Sequence, residues 1–430
     1  MNVLSYISPP KNRPSRIGGT FALLGAALPL LALANSKAIV PVTAVAVLAM
    51  LWFAFKEGRL ASLLIRDRVV MAGLGGLIVC AAAASAISGA WPEAAVSLVK
   101  LTGLVVLGIL IFPCRKNVTD DDIPWVAYGV IAGLVMTMLL IVGYVLFEKA
   151  MLFLGFKPER YNDTYFYWLS LYGYFWLKPA ATVMAVASLI AGTALARRKR
   201  PLAAIILIAA CALLCAWIGS RTASIGVVAS LVAAVFYQLI GRYRLKLMLA
   251  AMALIFLLPL VLAASDFKPA QVSAHLNPEN SSANSIVYRM HIWSFVTDKI
   301  LEKSVLGWGA GASKRLGNDD VGQVLDPKFG TLGEAIPVHP HNAVLQVWLE
   351  FGGLGALLAF VLIARWLTLA ERRAQFAWQR ICVFSVGALI ACFYGFNFSM
   401  TSSWWLVTVF VSIAVTTILA RPEPPAGNTG

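Results

Sequence analysis

The sequence predicts an all-α integral membrane protein of about twelve helices, on its composition, the length of its apolar runs and the alternation of its positive charge. Of its residues 60% are hydrophobic and 13% charged, where soluble domains sit near 45–50% apolar with about a quarter charged. The excess apolar surface needs a solvent that accepts it, and lipid does. Apolar runs lie near 17–36, 38–56, 69–88, 95–113, 124–147, 176–196, 201–218, 222–240, 246–265, 342–364, 381–398 and 402–420. Most approach the ~20 residues that cross a ~30 Å hydrocarbon core as a helix. The first run follows a polar stretch with Lys11, Arg13 and Arg16 and reads as a retained span, not a cleaved signal. The cysteines Cys80, Cys114, Cys211, Cys215, Cys382 and Cys392 all fall in or beside apolar runs and read as small hydrophobes.

A net charge of +15 raises nucleic acid as a partner. The basic residues, however, sit in short clusters between apolar runs, which is what membrane orientation requires. With the N-terminus cytoplasmic, one set of connections holds Lys56, Arg59, Arg66 and Arg68, then Arg115 and Lys116, then Arg197 to Arg200. Arg242, Arg244, Lys246, Arg365, Arg372, Arg373, Arg380 and Arg421 continue it, while the opposite short connections are nearly bare. Both termini are therefore expected in the cytoplasm. The chain then divides into spans one to nine over 1–265, with a short external segment at 150–178, a large external loop over 266–340, and spans ten to twelve over 341–420. The tail 421–430 reads as disordered. Within the large loop, 285–303 has helix-like amphipathic spacing, expected to lie on the membrane surface or cap a cavity.

Charge at membrane depth is costly and points to function. Arg221, in Gly219-Ser220-Arg221-Thr222, falls at an external helix end. It either snorkels to headgroups or turns inward to hold a phosphate, which its planar fork of donors suits, with small Gly219 and Ser220 letting a ligand approach. Arg289, between Tyr288 and Trp293, is either exposed on the amphipathic stretch or set beside rings that stack on a sugar. His339-Pro340-His341-Asn342 holds two of the four histidines, and a histidine near neutral pH accepts a proton. No further ligands at metal spacing accompany the pair, so neither metal nor cofactor is expected. After Asn342 and nine intervening residues, Gly352-Gly353-Leu354-Gly355 suits close helix approach. Lys100 and Lys178, near the outer ends of their spans, are reserve cations, though snorkelling accounts for Lys178 as well. Lys157 and Arg160 belong to an aromatic external segment with Tyr161, Tyr165, Phe166 and Tyr167, suited to headgroups or sugars.

The pattern His341-Asn342, nine residues, Gly352, two residues, Gly355, placed directly after a long external loop, resembles the signature of bacterial O-antigen ligases. Gly219-Ser220-Arg221-Thr222 and Tyr288-Arg289-x-x-Ile292-Trp293 look like that family's two arginine motifs, and Leu306-Gly307-Trp308-Gly309-Ala310-Gly311 like its glycine-rich run. The likeness in hydropathy covers nearly the whole chain, whereas the motifs are confined to 219–355. It implies a multi-span glycosyltransferase of the GT-C-like class at the periplasmic face of the bacterial inner membrane. The donor would be O-antigen on undecaprenyl diphosphate and the acceptor a sugar of the lipid A core oligosaccharide. A monomer among membrane lipids would suffice, without metal or cofactor.

The residues fit that chemistry. Departure of a diphosphate builds negative charge, which preorganised arginines stabilise; Arg221 and Arg289 are the candidates, with Lys100 and Lys178 in reserve. The acceptor hydroxyl must lose its proton as it attacks the anomeric carbon. His341 is the favoured base, while His339 orients it or serves instead. O-antigen polymerases and protein O-oligosaccharyltransferases share this layout and donor and differ in acceptor, so they stand as the alternative. A polyprenyl-lipid transporter is the reading from another class. It lacks support from paired interrupted spans in the two halves.

Overall fold

The computed structural model describes residues 10, 12–59, 67–89, 91, 93–153, 174–265, 268–279, 281–318 and 323–421. Lys11, Arg66, the aromatic segment with Lys157, Arg160, Tyr161, Tyr165, Phe166 and Tyr167, and the tail from Pro422 lie outside the described residues.

Lipid offers backbone N–H and C=O groups no partner, so each apolar run closes its own hydrogen bonds as a helix. In order these are α1 (Arg16–Asn35), α2 (Ile39–Lys56), α3 (Arg68–Ile87), α4 (Glu93–Cys114), α5 (Ile123–Phe153), α6 (Lys178–Arg197), α7 (Pro201–Trp217), α8 (Arg221–Leu239), α9 (Arg244–Phe256) and α10 (Leu258–Ala264). The large loop then forms α11 (Pro269–Ser273), α12 (Ser281–Glu302), α13 (Ala312–Asn318) and an antiparallel hairpin, β1 (Val324–Asp326) with β2 (Gly330–Gly333). The chain ends with α14 (Ala343–Arg373), α15 (Ala377–Phe396) and α16 (Ser403–Leu419).

The chain is thus a multi-pass, almost wholly helical membrane protein, and every expected apolar run coincides with a helix. Among the described residues eight helices are long and apolar enough to cross a membrane, with Arg16–Lys56 counted once. The bent pair α9–α10, which turns by 51°, makes a ninth, and α7 and α16 are apolar but shorter. Two expected boundaries move: α5 runs on to Phe153 and α14 to Arg373.

Two apolar cores organise the bundle. In the larger, α6 is central, and every residue from Ala180 to Leu195 is buried. Its Ala, Ser, Thr and Gly residues let α1, α5, α7, α15 and α16 pack close around it. The smaller core joins α3 to α12 and the first half of α14 through Cys80, Ile292, Val296, Ile300, Leu345 and Leu349. Amphipathic α12 packs Ile292, Val296 and Ile300 against α14. At the end of the bundle with the basic connections, Arg365 bonds Asp67 at 2.7 Å, Arg244 bonds Glu371 at 2.7 Å, and Arg197 reaches the Arg421 carbonyl. His339 and His341 precede the opposite end of α14.

Candidate active site

The Asn342 side chain starts α14. Its Oδ1 accepts from the amides of Val344 at 2.9 Å and Leu345 at 3.1 Å. Just outside this cap His341 takes φ 54°, a left-handed conformation uncommon for a side chain with a Cβ. Its amide donates to His339 Nδ1 at 3.1 Å, and the two rings lie 4.3 Å apart. The approach to this turn is fastened by α12. Tyr288 donates its hydroxyl to the Glu334 carbonyl at 2.8 Å, and Trp293 Nε1 donates to the Pro340 carbonyl at 3.0 Å. His291 meets Asp326 at 2.9 Å, and Asp326 also accepts from the backbone of Lys328 and Phe329 in the hairpin turn. Hydrogen bonding at this pair holds the Asp326 carboxyl down at about 2, against the opposing effect of burial. The polar ends of Tyr288 and Trp293 thus hold the chain that delivers the histidines.

Four of the expected groups come together here. Burial first, then the charge of Arg289 and that of Lys178, push the His341 pKa down to about 4, against the backbone of Asn397, which favours the proton. Burial, the His341 ring and Arg289 bring His339 to about 4 as well. Both rings are therefore neutral at pH 7. They differ in what their nitrogens do: His339 Nδ1 is occupied by the amide of His341, while His341 Nδ1 is buried with no partner among the described residues. Arg289 is half-buried, which lowers its pKa from the usual guanidinium range, and it meets no acceptor among the described residues. Its charge also reaches Lys178, the first residue of α6.

Arg221 begins α8, which runs antiparallel to α15. Tyr237 packs its ring on Phe384, and Gly226 stands against Leu389 and Cys392. This order carries Arg221 towards the Asn397 end of α15, hence to the same end of the bundle as His341. Ser220 is buried beside it, and Gly219 takes φ 82°. Lys100 is elsewhere, with Lys37 in a groove between α2, α4 and α16.

The glycine motifs turn out to be one construction. Gly352 has φ 62° and ψ −165° in the middle of α14, which breaks the helix. The groups freed at the break bond to the chain at 304–309: the amides of Trp308 and Gly309 donate to the carbonyls of Leu349 and Glu350, and those of Gly353 and Leu354 to Ser304 and Val305. Gly307 closes this contact, since a Cβ there would stand 2.7 Å from the amides of Phe351 and Gly352. A Cβ on Gly309 would meet the Ser85 Cα at 2.7 Å, and Gly355 is buried just past the break against Phe351.

Sequence reasoning passed over Glu350 and Gln346. The Glu350 carboxylate, buried in α14, accepts from the Gly311 amide at 3.0 Å, Ser313 Oγ at 2.7 Å and Gln346 Nε2 at 3.0 Å. Gln346 Oε1 accepts in turn from Ser399 Oγ and the Met400 amide, both at 3.0 Å. The available signal was a lone carboxylate in an apolar run, which lipid tolerates only when it is satisfied. Among the described residues no three His, Cys, Asp or Glu side chains converge as a metal site.

Residues 204–360 match the family model described as O-antigen ligase. Of curated proteins, the chain is similar to a "putative polysaccharide ligase" of Rickettsia conorii, 28% identical over 145 residues, 32% of this chain and 33% of that one. A protein of the same description in Rickettsia typhi is 27% identical over 164 residues, 35% of this chain and 38% of that one. The chain thus spans about a third of the length of the curated relatives it matches. The matched stretch 204–360 carries Arg221, Arg289 and His341.

Proposed function

We propose that the protein is an O-antigen ligase, moving O-antigen polysaccharide from undecaprenyl diphosphate to a sugar of the lipid A core at the periplasmic face of the bacterial inner membrane. The observation that carries this reading is the convergence of His339, His341, Arg289 and Lys178: two neutral rings within the charge of an arginine and a lysine. A site of that kind suits a reaction that frees a proton and a diphosphate together.

The acceptor hydroxyl attacks the anomeric carbon from the side opposite the diphosphate. As that C–O bond forms, the bond to the diphosphate breaks, the leaving group takes the electron pair, and the hydroxyl proton passes to His341. The anomeric centre inverts. His341 Nδ1 is the atom for this role, because it is unpartnered while the corresponding atom of His339 holds a backbone amide. Arg289 and Lys178, with Arg221 on the same side, hold the diphosphate and stabilise its growing charge without reorganising. Binding it also screens the charges that lower the His341 pKa, so the base strengthens when the donor is in place. The bare charge of the connections opposite the basic ones supports a periplasmic site with both termini cytoplasmic.

The test is transfer by purified protein supplied with undecaprenyl-diphosphate-linked O-antigen and core-lipid A, read as a gel shift of the acceptor with EDTA present. Wild type is expected to transfer, and His341→Ala, Arg289→Ala and Arg221→Ala to lose transfer. Lengthening of the donor when donor alone is supplied would move the assignment to a polymerase. Modification of a protein hydroxyl would move it to a protein O-oligosaccharyltransferase, and donor translocation without transfer to a transporter.

A further inference from the structure

Beside this site lies a cavity that the mechanism does not use. A groove of about 650 Å³ runs between α2, α4 and α16, lined by Val, Ala, Leu and Gly side chains, with Lys37, Lys100, Ser403 and Trp404 as its polar or amphipathic members. All three helices start at the end of the bundle where His341 sits. The opposite ends of α4 and α16 meet through Arg115 and Thr417, at the basic end. Along α4 the lining runs from Val99 to Leu110, which at 1.5 Å per residue is about 16 Å. One leaflet is half of a ~30 Å hydrocarbon core, so the groove is one leaflet deep.

Each lysine alone has an ordinary account, an ammonium snorkelling to the interface. Together the two lysines set a positive rim over one apolar groove, which suits an anionic headgroup above a hydrocarbon chain. Both are exposed, and neither meets a carboxylate among the described residues. The groove is also connected to the site. α16 packs on α2 and α4 on one side and on α6, which begins with Lys178, on the other. Gly311 of the glycine loop abuts Ser97, one turn before Lys100.

We propose that this groove holds the hydrocarbon chain of a single-chain lipid diphosphate, a polyprenyl diphosphate, whose phosphates are met by Lys37 and Lys100. The assignment rests on the reading that the donor is such a lipid. A narrow groove between three helices fits one chain, whereas a lipid A acceptor brings several. The part of the donor chain beyond one leaflet then extends into the bilayer, and Lys37 and Lys100 guide the diphosphate towards Arg289 and Lys178.

The experiment uses the full chain in nanodiscs with a polyprenyl diphosphate carrying a diazirine near its head, and locates the photo-adduct by peptide mass spectrometry. Adducts are expected at the headgroup end of the groove, in 37–44 and 99–104. They should fall at least tenfold in Gly103→Leu, which fills open space in the groove, and in Lys37→Ala combined with Lys100→Ala. Unlabelled polyprenyl diphosphate should compete at least tenfold better than phosphatidylglycerol. Adducts spread over all lipid-facing helices, adducts unchanged by Gly103→Leu, or equal competition by phosphatidylglycerol would overturn the proposal. Labelling is scored without transfer, so a labelled but inactive wild type supports the groove and sinks the catalytic reading. Transfer with labelling elsewhere does the reverse.

Discussion

Replacing Gly352 by alanine tests whether the break in α14 is a built feature of the site. The conformation at φ 62°, ψ −165° is essentially reserved to glycine, and holding another residue there costs about 1–3 kcal/mol. The new Cβ would meet the Val305 carbonyl and stand 2.6 Å from the Leu306 amide, both backbone groups that yield only if the whole loop moves. Moving it strains four hydrogen bonds between 304–309 and 349–354, each worth about 1 kcal/mol net. Half of that loss added to the strain gives about 3–5 kcal/mol. The measurement is denaturant-induced unfolding in detergent micelles, with transfer followed on the same preparation. Gly352→Ala should lose that much stability and at least tenfold in transfer. Gly353→Ala, where the Cβ meets the Trp348 ring at 3.2 Å and the Ser304 carbonyl oxygen at 3.4 Å, should stay within about 1 kcal/mol of wild type. A Gly352→Ala protein as stable and active as wild type would refute the account.

Three more outcomes follow from the site. Since His339 and His341 titrate near 4 in the empty enzyme, below the usual 6.5, folded protein binds fewer protons than unfolded between those values. Stability from the pair should be full above pH 6.5 and decline towards pH 4, on the order of 3 kcal/mol per ring. The acid limb of kcat/KM should sit well below pH 6.5, and that of kcat above it, because bound diphosphate screens Arg289; a single limb at 6.5 in both would count against this. Glu350→Ala should cost on the order of 3 kcal/mol, because three neutral donors lose their acceptor inside the bundle at about 1 kcal/mol or more each, and Glu350→Gln, which keeps one acceptor oxygen, should cost clearly less; thermal unfolding in micelles decides. Trp293→Phe removes the bond to the Pro340 carbonyl. It should lose about 1 kcal/mol and several-fold in kcat without raising KM for the donor, whereas an unchanged kcat would show that the turn holds itself.

Hydropathy made the helices legible because lipid enforces one solution on every apolar run. Arg289, His339, His341 and Lys178 were legible one by one, as charges and rings out of keeping with their surroundings. Their convergence was not, since it depends on α6 starting beside α12, a contact between residues more than a hundred positions apart. The role of Gly352 was hidden for a similar reason: a glycine that lets helices approach and one that breaks a helix read alike until the partner loop at 304–309 is in view. Glu350 escaped notice because its three donors are scattered in sequence. Lys100, a reserve cation on its depth in the span, lies in a separate groove, because depth does not tell which face of α4 a residue occupies.

The two cores described above give the site a mechanical character. His339, His341 and Arg289 ride on the body made by α3, α12 and α14, whereas Lys178 and Asn397 belong to the body around α6. These candidate groups therefore lie across the seam between the two cores. Parting the two bodies slightly changes the distance from Arg289 to Lys178 and leaves that from Arg289 to His341 alone. A diphosphate attracted from both sides would act as a clasp. Loading with donor should then stiffen the seam, visible as slower amide exchange at residues 338–346 and 397–402, before any sugar is transferred.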